Sequence, residues 1–534
     1  MAVLPDPITV EVVRNALETT VAEMSAVMLR TSHAPIFSEG KDYSCALYDR
    51  NGIPLAQAHD CPIHLANIQF SLQQALRELD SPPDEGDVVI VNDPYLGGSH
   101  LPDITVFRPI YVGGELVLFA ANRAHHVDVG GGAPGSFVAN ATEIYQEGLR
   151  LPPVTLHKRG VPNRDLLRVI LRNVRNPDYL IGDLNAQIAA LLHADHHVQK
   201  ELVPRFGLDT ILSCRDAILD YSEARMRAAI LRLRPGIFQA RDYVDDDGIR
   251  DDPLEIRVSV MAEDGRLVID FEGSSEQAMG PVNSVFAVTA GAAYIAVLNS
   301  LDADIPVNGG CYRPIEVRAP LGTVVNPREP AACTAGNTYT AIRIIDTVRR
   351  ALVDAGAPNV AAGEGEHAQF LAGGTDPATG EPYVFYEMIV GGWGATPHKA
   401  GEHALFALNA NCENTPAEVF ESRFPWRIAK RSLRPNSGGS GQYRGGDGLV
   451  VEYELLRGKA LASSASDRLR FAPYGLEGGR PGLTASFTLI HNGARRALPS
   501  KFGNVEMVAG DVMEIATSGG GGYGSAPDDP AEVQ

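Results

Sequence analysis

The stretch Asn92-Asp93-Pro94-Tyr95-Leu96-Gly97-Gly98-Ser99-His100-Leu101-Pro102-Asp103 leads straight into an alternating run, Ile104–Val112, which meets Gly113-Gly114 and returns as Glu115–Ala121. Two such runs joined by two glycines predict a β-hairpin. The returning strand leaves through Asn122-Arg123-Ala124-His125-His126-Val127-Asp128. A hairpin sets the residues before its first strand beside those after its second, so His100, Asp103, His125, His126 and Asp128 are expected at one end. Imidazole with carboxylate suits Mn²⁺, Zn²⁺ or Fe²⁺ better than Ca²⁺. Strict pairing across a two-residue loop places Asp103 opposite Ala124, which puts His126 rather than His125 on the Asp103 face. Pro102 interrupts pairing beside it. Read as strand-end caps bonded to backbone, the same residues need no metal, and spacing alone does not choose.

Outward from this hairpin the chain reads as a mixed α+β protein. Asp6-Pro7 opens a helix, an N-cap followed by proline at the first helical position, and Val10, Val13, Leu17, Val21, Met24 and Met28 mark its buried face. Tyr43–Tyr48 and Ile53–Ala58 flank the turn Asp49-Arg50-Asn51-Gly52 as another hairpin, and Asp87–Asn92 is a strand. Long 3.6-period segments fill Arg164 to Arg234. After Pro235 the chain is strand-like, with one further helix near Thr340–Ala355, a last strand ending near Ile515 and a glycine-rich tail, Ser518–Gly524. The expected division is 1–160, an α/β region with the candidate site, 161–235, a helical segment, and 236–534, a β-rich region.

The 534 residues carry 46 Lys and Arg against 66 Asp and Glu, a net charge of −20. That acidity, without a basic run, argues against nucleic acid and anionic membranes as partners. Six scattered cysteines without a C-x-x-C pair suit a reducing compartment rather than a disulfide framework. The N-terminus does not read as a signal peptide, and the apolar stretch Val285 to Leu298 is too short to span a bilayer. The expected location is the cytoplasm.

No P-loop, G-x-S-x-G or H-E-x-x-H motif occurs. A G-x-G-x-x-G match at Gly519, Gly521 and Gly524 has only ten residues after it, too few for a dinucleotide-binding unit. His193, His196 and His197 have chelating i, i+3, i+4 spacing, yet among Asp195, Gln199 and Lys200 they read as a solvated face. His59 and His64, near Asp60 and Cys61, are expected at the surface or behind the ligands. The run Ser437–Gly448 reads as turns between strands, with an anion cradle as the alternative.

Several motifs resemble the hydantoinase B/oxoprolinase family, which includes N-methylhydantoinase B subunits and acetone carboxylase large subunits. They are Ser38–Ser44, Asn92-Asp93-Pro94-Tyr95 with His100-Leu101-Pro102-Asp103, Ala141–Arg150, Arg434–Gly439 and the tail Ser518–Gly524. The similarity runs over nearly the whole chain. One departure is Thr338-Tyr339, where relatives often have Val-Glu. The resemblance implies a mononuclear divalent metal (Mn, Zn or Fe) held by Asp42, His100, Asp103 and His125, so it selects His125 over His126. His126 and Asp128 are then candidate catalytic proton acceptors, and Glu143 and Glu147 weaker candidates for lining a channel. It also implies an ATP-binding A-type partner of the actin-like ATPase fold, Mg-ATP bound there, and a hetero-oligomer.

The function this implies is the metal-bearing B subunit of an ATP-dependent hydrolase opening hydantoin, N-methylhydantoin, 5-oxoproline or lactam rings. Two alternatives are the catalytic subunit of an ATP-dependent ketone carboxylase and a non-catalytic structural subunit of the ATPase.

Overall fold

The computed structural model describes residues 5–302 and 304–526. Asp6 caps the first helix, Pro7–Thr31, by accepting hydrogen bonds from the Ile8 and Thr9 amides. Around it the N-terminal part builds an antiparallel sheet of seven strands: β1 (Tyr43–Asp49), β2 (Pro54–Gln57), β3 (Val88–Val91), β4 (Asp103–Val112), β5 (Glu115–His125), β6 (Val154–Lys158) and β7 (Val161–Pro162), in the order β2-β1-β5-β4-β3-β6-β7.

Strand periodicity gives this sheet two apolar faces. Cys45, Leu47, Ile104 and Val106 join Val13, Leu17 and Met24 of the first helix and Leu184 and Leu191 of the helix Pro177–His197 in one core. Ala46, Tyr48, Phe107, Phe119 and Ala121 pack instead with Leu65, Ile68, Leu72 and Ala75 of the helix Pro62–Glu78. The sheet is thus sandwiched between helices, and odd positions near the start of β4 and the end of β5 face Pro62–Glu78.

The strict register expected for the β4–β5 hairpin is corrected by a β-bulge. Val112 pairs with Glu115 and Tyr111 with Leu116, but Ile110 pairs with Leu118, so Val117 is left without a partner. From there every pair is displaced by one, and Asp103 lies opposite His125. The strand also runs four residues beyond Ala121, to His125.

The rest of the chain forms three further sheets. β8 (Gly236–Val244), β9 (Leu254–Glu263), β10 (Arg266–Asp270) and β11 (Ile315–Arg318) make one, in the order β11-β10-β9-β8. β12 (Ala368–Thr375), β13 (Pro382–Ile389), β16 (Lys459–Ala465) and β19 (Lys501–Val508) make the second, in the order β13-β12-β16-β19. The third, in the order β14-β15-β20-β17-β18, contains β14 (Trp426–Leu433), β15 (Leu449–Leu455), β17 (Ser486–His491), β18 (Ala494–Leu498) and β20 (Val512–Ala516). One apolar core runs from Val13 to Ile515.

Two expectations for this part need correcting. Besides Ala341–Asp354, the chain forms a buried helix at Phe286–Ser300, which packs on Pro62–Glu78. Ser518–Gly524 is no trailing tail, because its glycines are buried between other segments. Gly520 N–H donates to Gly446 O at 3.0 Å, and Gly439 N–H donates to Gly520 O at 2.8 Å. Most amides of Ser437–Gly448, which an anion would need, are bonded within the protein, Gly446 N–H to Trp393 O among them.

Candidate metal centre

Strand parity carries Asp42, Asp103 and His125 to one edge of the sheet, on the face covered by Pro62–Glu78. That helix begins with proline at its first position, after Cys61, and its first turn presents His64. The loop between β3 and β4 adds His100. All these side chains are buried.

Asp103 is the hub. Its Oδ1 lies 3.3 Å from His100 Nε2 and 3.4 Å from His64 Nε2, and His64 Nε2 lies 3.8 Å from Asp42 Oδ1. The other oxygen, Oδ2, accepts hydrogen bonds from Ser99 Oγ and, at 3.3 Å, from Asn337 Nδ2. His100 Nδ1 lies 3.0 Å from Thr334 O; only a protonated Nδ1 can bond a carbonyl, so in the neutral ring it is Nε2 that offers a lone pair to the cluster. His125 meets His100 edge-on at 5.0 Å and stacks on Tyr386 at 4.6 Å. The Tyr386 hydroxyl accepts from Gln369 Nε2 at 2.7 Å.

Potential ligand atoms form two adjoining triads, His100–Asp103–His125 and Asp42–Cys61–His64, each with its atoms within 4.8 Å of one another. Asp103 Oδ1, His100 Nε2, His125 Nδ1 and His64 Nδ1 are buried without hydrogen-bond partners. Buried polar atoms are rarely left so, and a divalent cation would satisfy several at once. The residues therefore fit a metal, and the nitrogen, oxygen and sulfur donors fit a first-row ion.

The electrostatics of the cluster suit a cation. Burial raises Asp42 to about 6. Burial also works against charge on Asp103, but His100 and His64 outweigh it and hold its carboxyl well below the usual range. For His64 burial favours the neutral ring, yet Cys61, Asp103 and Asp42 together raise it to about 10. Its imidazolium thus occupies the place of a cation between two carboxylates. His125, pushed by burial and then by His100, falls to about 3 and stays a neutral donor.

Other sequence-derived candidates lie elsewhere. His126 points to the opposite face, where its Nε2–H donates to Gln187 Oε1 at 3.0 Å, its ring meets Phe37, and burial lowers it to about 4. Asp128 accepts from the amides of Gly130, Gly135 and Arg175 at 3.0–3.1 Å and from the Arg175 guanidinium at 2.9 Å. Glu143 is exposed and belongs to a capping box. Glu147 is buried, and its Oε1 accepts from the Cys333 and Thr334 amides.

His59 is exposed, whereas His64 is buried against Asp103 and not at the surface. His193 pairs with Glu23 of the first helix at 2.8 Å, and His197 lies 2.9 Å from Thr20 Oγ1. The two therefore line a helix–helix contact, while His196 is exposed. Sequence reasoning singled out His64 and Cys61 but did not place them beside Asp103 and Asp42. The available signal was helical spacing: His64 is four residues before Ile68 and eight before Leu72, both packed on the sheet.

The profile of the hydantoinase B/oxoprolinase family matches residues 6–526. A putative D-/L-hydantoinase B-type chain from Pseudomonas sp. (strain NS671) is 32% identical, over 97% of this chain and 90% of its own length. The crystal structure of the ATP-dependent caprolactamase from Pseudomonas jessenii superposes with a TM-score of 0.91 at 29% identity, covering 98% of this chain and 92% of that one. The nucleotide-free structure of acetone carboxylase shares the fold, with a TM-score of 0.88 at 19% identity, over 98% of this chain and 77% of that one. With a buried His/Asp cluster at the edge of its first sheet and a family profile matched almost from end to end, the chain belongs to the hydantoinase B/oxoprolinase family.

Proposed function

We propose that this chain is the metal-bearing B subunit of an ATP-dependent hydrolase of small cyclic amides, working with an A-type ATPase subunit. The observation that carries the reading is the buried cluster around Asp103 with its unpartnered donor atoms. The similarity to a hydantoinase B-type chain and to an ATP-dependent caprolactamase supports the substrate class and the partner.

Ring amides resist water because resonance must be broken and nitrogen leaves poorly. The partner would transfer the γ-phosphate of ATP to the amide oxygen, releasing ADP and leaving an O-phosphorylated imidate. Addition of water at that carbon would give a tetrahedral adduct whose collapse cleaves the C–N bond and opens the ring, leaving an acyl phosphate that a second water hydrolyses to carboxylate and phosphate. Asp42, His100, Asp103 and His125 would hold a divalent ion. Bound there, it supplies Lewis acidity towards oxygen and makes water more acidic.

The chain's own residues orient this centre. Thr334 O fixes the His100 tautomer, Tyr386 supports the His125 ring, and Ser99 with Asn337 turns Asp103 Oδ1 inward. His126 and Asp128 act in this reading as supports of the strand end and the following loop, not as proton acceptors.

The test is ATP-dependent ring opening of hydantoin, N-methylhydantoin, 5-oxoproline and a lactam by the chain with its A-type partner, in bicarbonate-free buffer. Turnover is expected with wild type and lost with His100→Ala, together with bound metal. A strict bicarbonate requirement would point to ketone carboxylation instead. Full activity in the metal-free His100→Ala complex would mean a structural subunit.

A further inference from the structure

Around His100, Asp103 and His125 the neighbouring side-chain amides are used at one end only. Asn337 donates from Nδ2 to Asp103 Oδ2 at 3.3 Å, and Asn409 donates from Nδ2 to the carbonyls of Thr338 and Asn337 at 3.4 and 3.5 Å. Carboxylates and carbonyls only accept, so these contacts fix which end of each amide is nitrogen. Asn337 Oδ1 and Asn409 Oδ1 are buried and receive no hydrogen bond. The same holds for Gln369 Oε1, whose Nε2 donates to the hydroxyl of Tyr386, the ring stacked on His125. Each of these acceptors is joined to Asp103 or His125 through at most one intervening residue.

Native proteins rarely leave buried acceptors unpaired. What these three lack is a donor. The ion is served by Asp42, His100, Asp103 and His125 in the reading above, and a ketone has no N–H to give. A ring amide has one. Protonated at nitrogen, the form in which it is attacked by water and leaves as an amine, the activated ring presents the same donor. The backbone shows where a ring would stand. Asn409 O accepts from Ile63 N–H at 3.0 Å and from the Cys61 thiol at 3.3 Å, so the residue is clamped between the start of the helix Pro62–Glu78 and the turn Gly336–Thr340. On the outer side of these segments lies a cavity of about 390 Å³, whose walls include Pro62, Leu65, Ile295, Trp393 and Leu408, apolar and roomy enough for a small ring.

We infer that Asn337, Asn409 and Gln369 form an acceptor subsite for ring N–H groups, so that the chain takes cyclic amides whose nitrogen carries a hydrogen and rejects fully N-alkylated rings. The inference rests on the cyclic-amide reading and narrows its substrate class.

The test is calorimetric titration of the metal-loaded, full-length chain at pH 7 with hydantoin, which has two N–H groups, and with 1,3-dimethylhydantoin, which has none. Wild type is expected to bind hydantoin about 10–100-fold more tightly, because the methylated ring leaves buried acceptors unpaired. Asn409→Leu keeps the side chain's size and removes its oxygen. It should weaken hydantoin about 10-fold, leave dimethylhydantoin unchanged and retain wild-type metal content by elemental analysis. If Asn409→Leu does not fold, Gln369→Leu is measured in the same way. Equal binding of the two rings by wild type, or no saturable binding of either, would overturn the subsite, the acceptors then serving ordered water only. A preference for hydantoin that persists undiminished in the variant would overturn it as well. Ring opening by the complex with its ATPase partner is read separately: turnover without the binding preference would leave the hydrolase reading standing, and the preference without turnover would leave the subsite standing.

Discussion

Glu147 acts on the donor cluster from a distance of one peptide. Its Oε1 accepts the Cys333 and Thr334 amides, both at 2.8 Å, and the carbonyl of Thr334 is the one that fixes His100. Burial raises this carboxyl to about 8, so at neutral pH it is mainly a neutral acceptor that glutamine can imitate. Glu147→Ala strands two buried amides, at about 1–3 kcal/mol each, and frees Thr334 from His100. We expect metal affinity to fall about 10–100-fold, the usual effect of losing an outer support, while Glu147→Gln stays near wild type. A chelator-competition titration decides; equal affinities in all three proteins would sever Glu147 from the site. In the sequence Glu147 stands in a polar loop before two prolines, and its importance comes from a contact with residues 186 and 187 positions away. No local pattern encodes such a contact. His100 and Asp103 were legible because a single hairpin gathers them with the end of β5, but strict pairing chose His126 there and only the family resemblance chose His125, since the parity that unites the three depends on one bulged residue, Val117.

At the scale of elements, amphipathic periodicity was readable and uniform burial was not. The first helix announced itself by an N-cap and a regular apolar face. Phe286–Ser300 is buried on nearly every side, so it shows no 3.6-residue alternation and read only as a short apolar run. The glycine-rich segments misled differently: a glycine run signals a turn, but here the absent side chains let backbones touch. A Cβ on Gly520 would lie 2.0 Å from Trp393 O, and one on Gly445 would lie 2.0 Å from Gly520 O. Gly520→Ala must push two backbone segments apart, and we expect a loss of about 3 kcal/mol or more. Gly380→Ala is the control, since its φ of +75° also disfavours alanine but open space surrounds it. There the backbone term alone, about 1–2 kcal/mol, applies. Denaturant unfolding of both variants measures the difference, and equal losses would show that close approach is not what these glycines serve.

Across the whole molecule, segments distant in sequence are joined by a buried ionic network centred on Arg343. Its guanidinium lies 3.3–3.6 Å from Asp346, Glu366, Asp242 and Asp467, which come from its own helix, the approach to β12, strand β8 and the end of β16. Arg468 bridges Asp242 and Asp346 at 2.8 Å from each. The cations do not offset burial, which raises Asp346 to about 7 and Asp467 to about 8. A carboxyl with a raised folded-state value keeps a proton that the unfolded chain has already released. Its stabilising effect is therefore complete below about pH 4 and is lost as pH rises through the folded value. The protein should lose stability steadily between about pH 5 and pH 8 as these groups ionise, by up to about 1.4 kcal/mol per pH unit for each group in its titration range. Asp467→Asn removes one of them. Near pH 5, where Asp467 is neutral, the variant should melt close to wild type; by pH 8 to 9 it should gain relative to wild type. Melting curves of the two proteins across this range test the point. A difference in melting temperature that stays constant with pH would mean that Asp467 is ionised throughout, its negative charge held by Arg343 and Lys501.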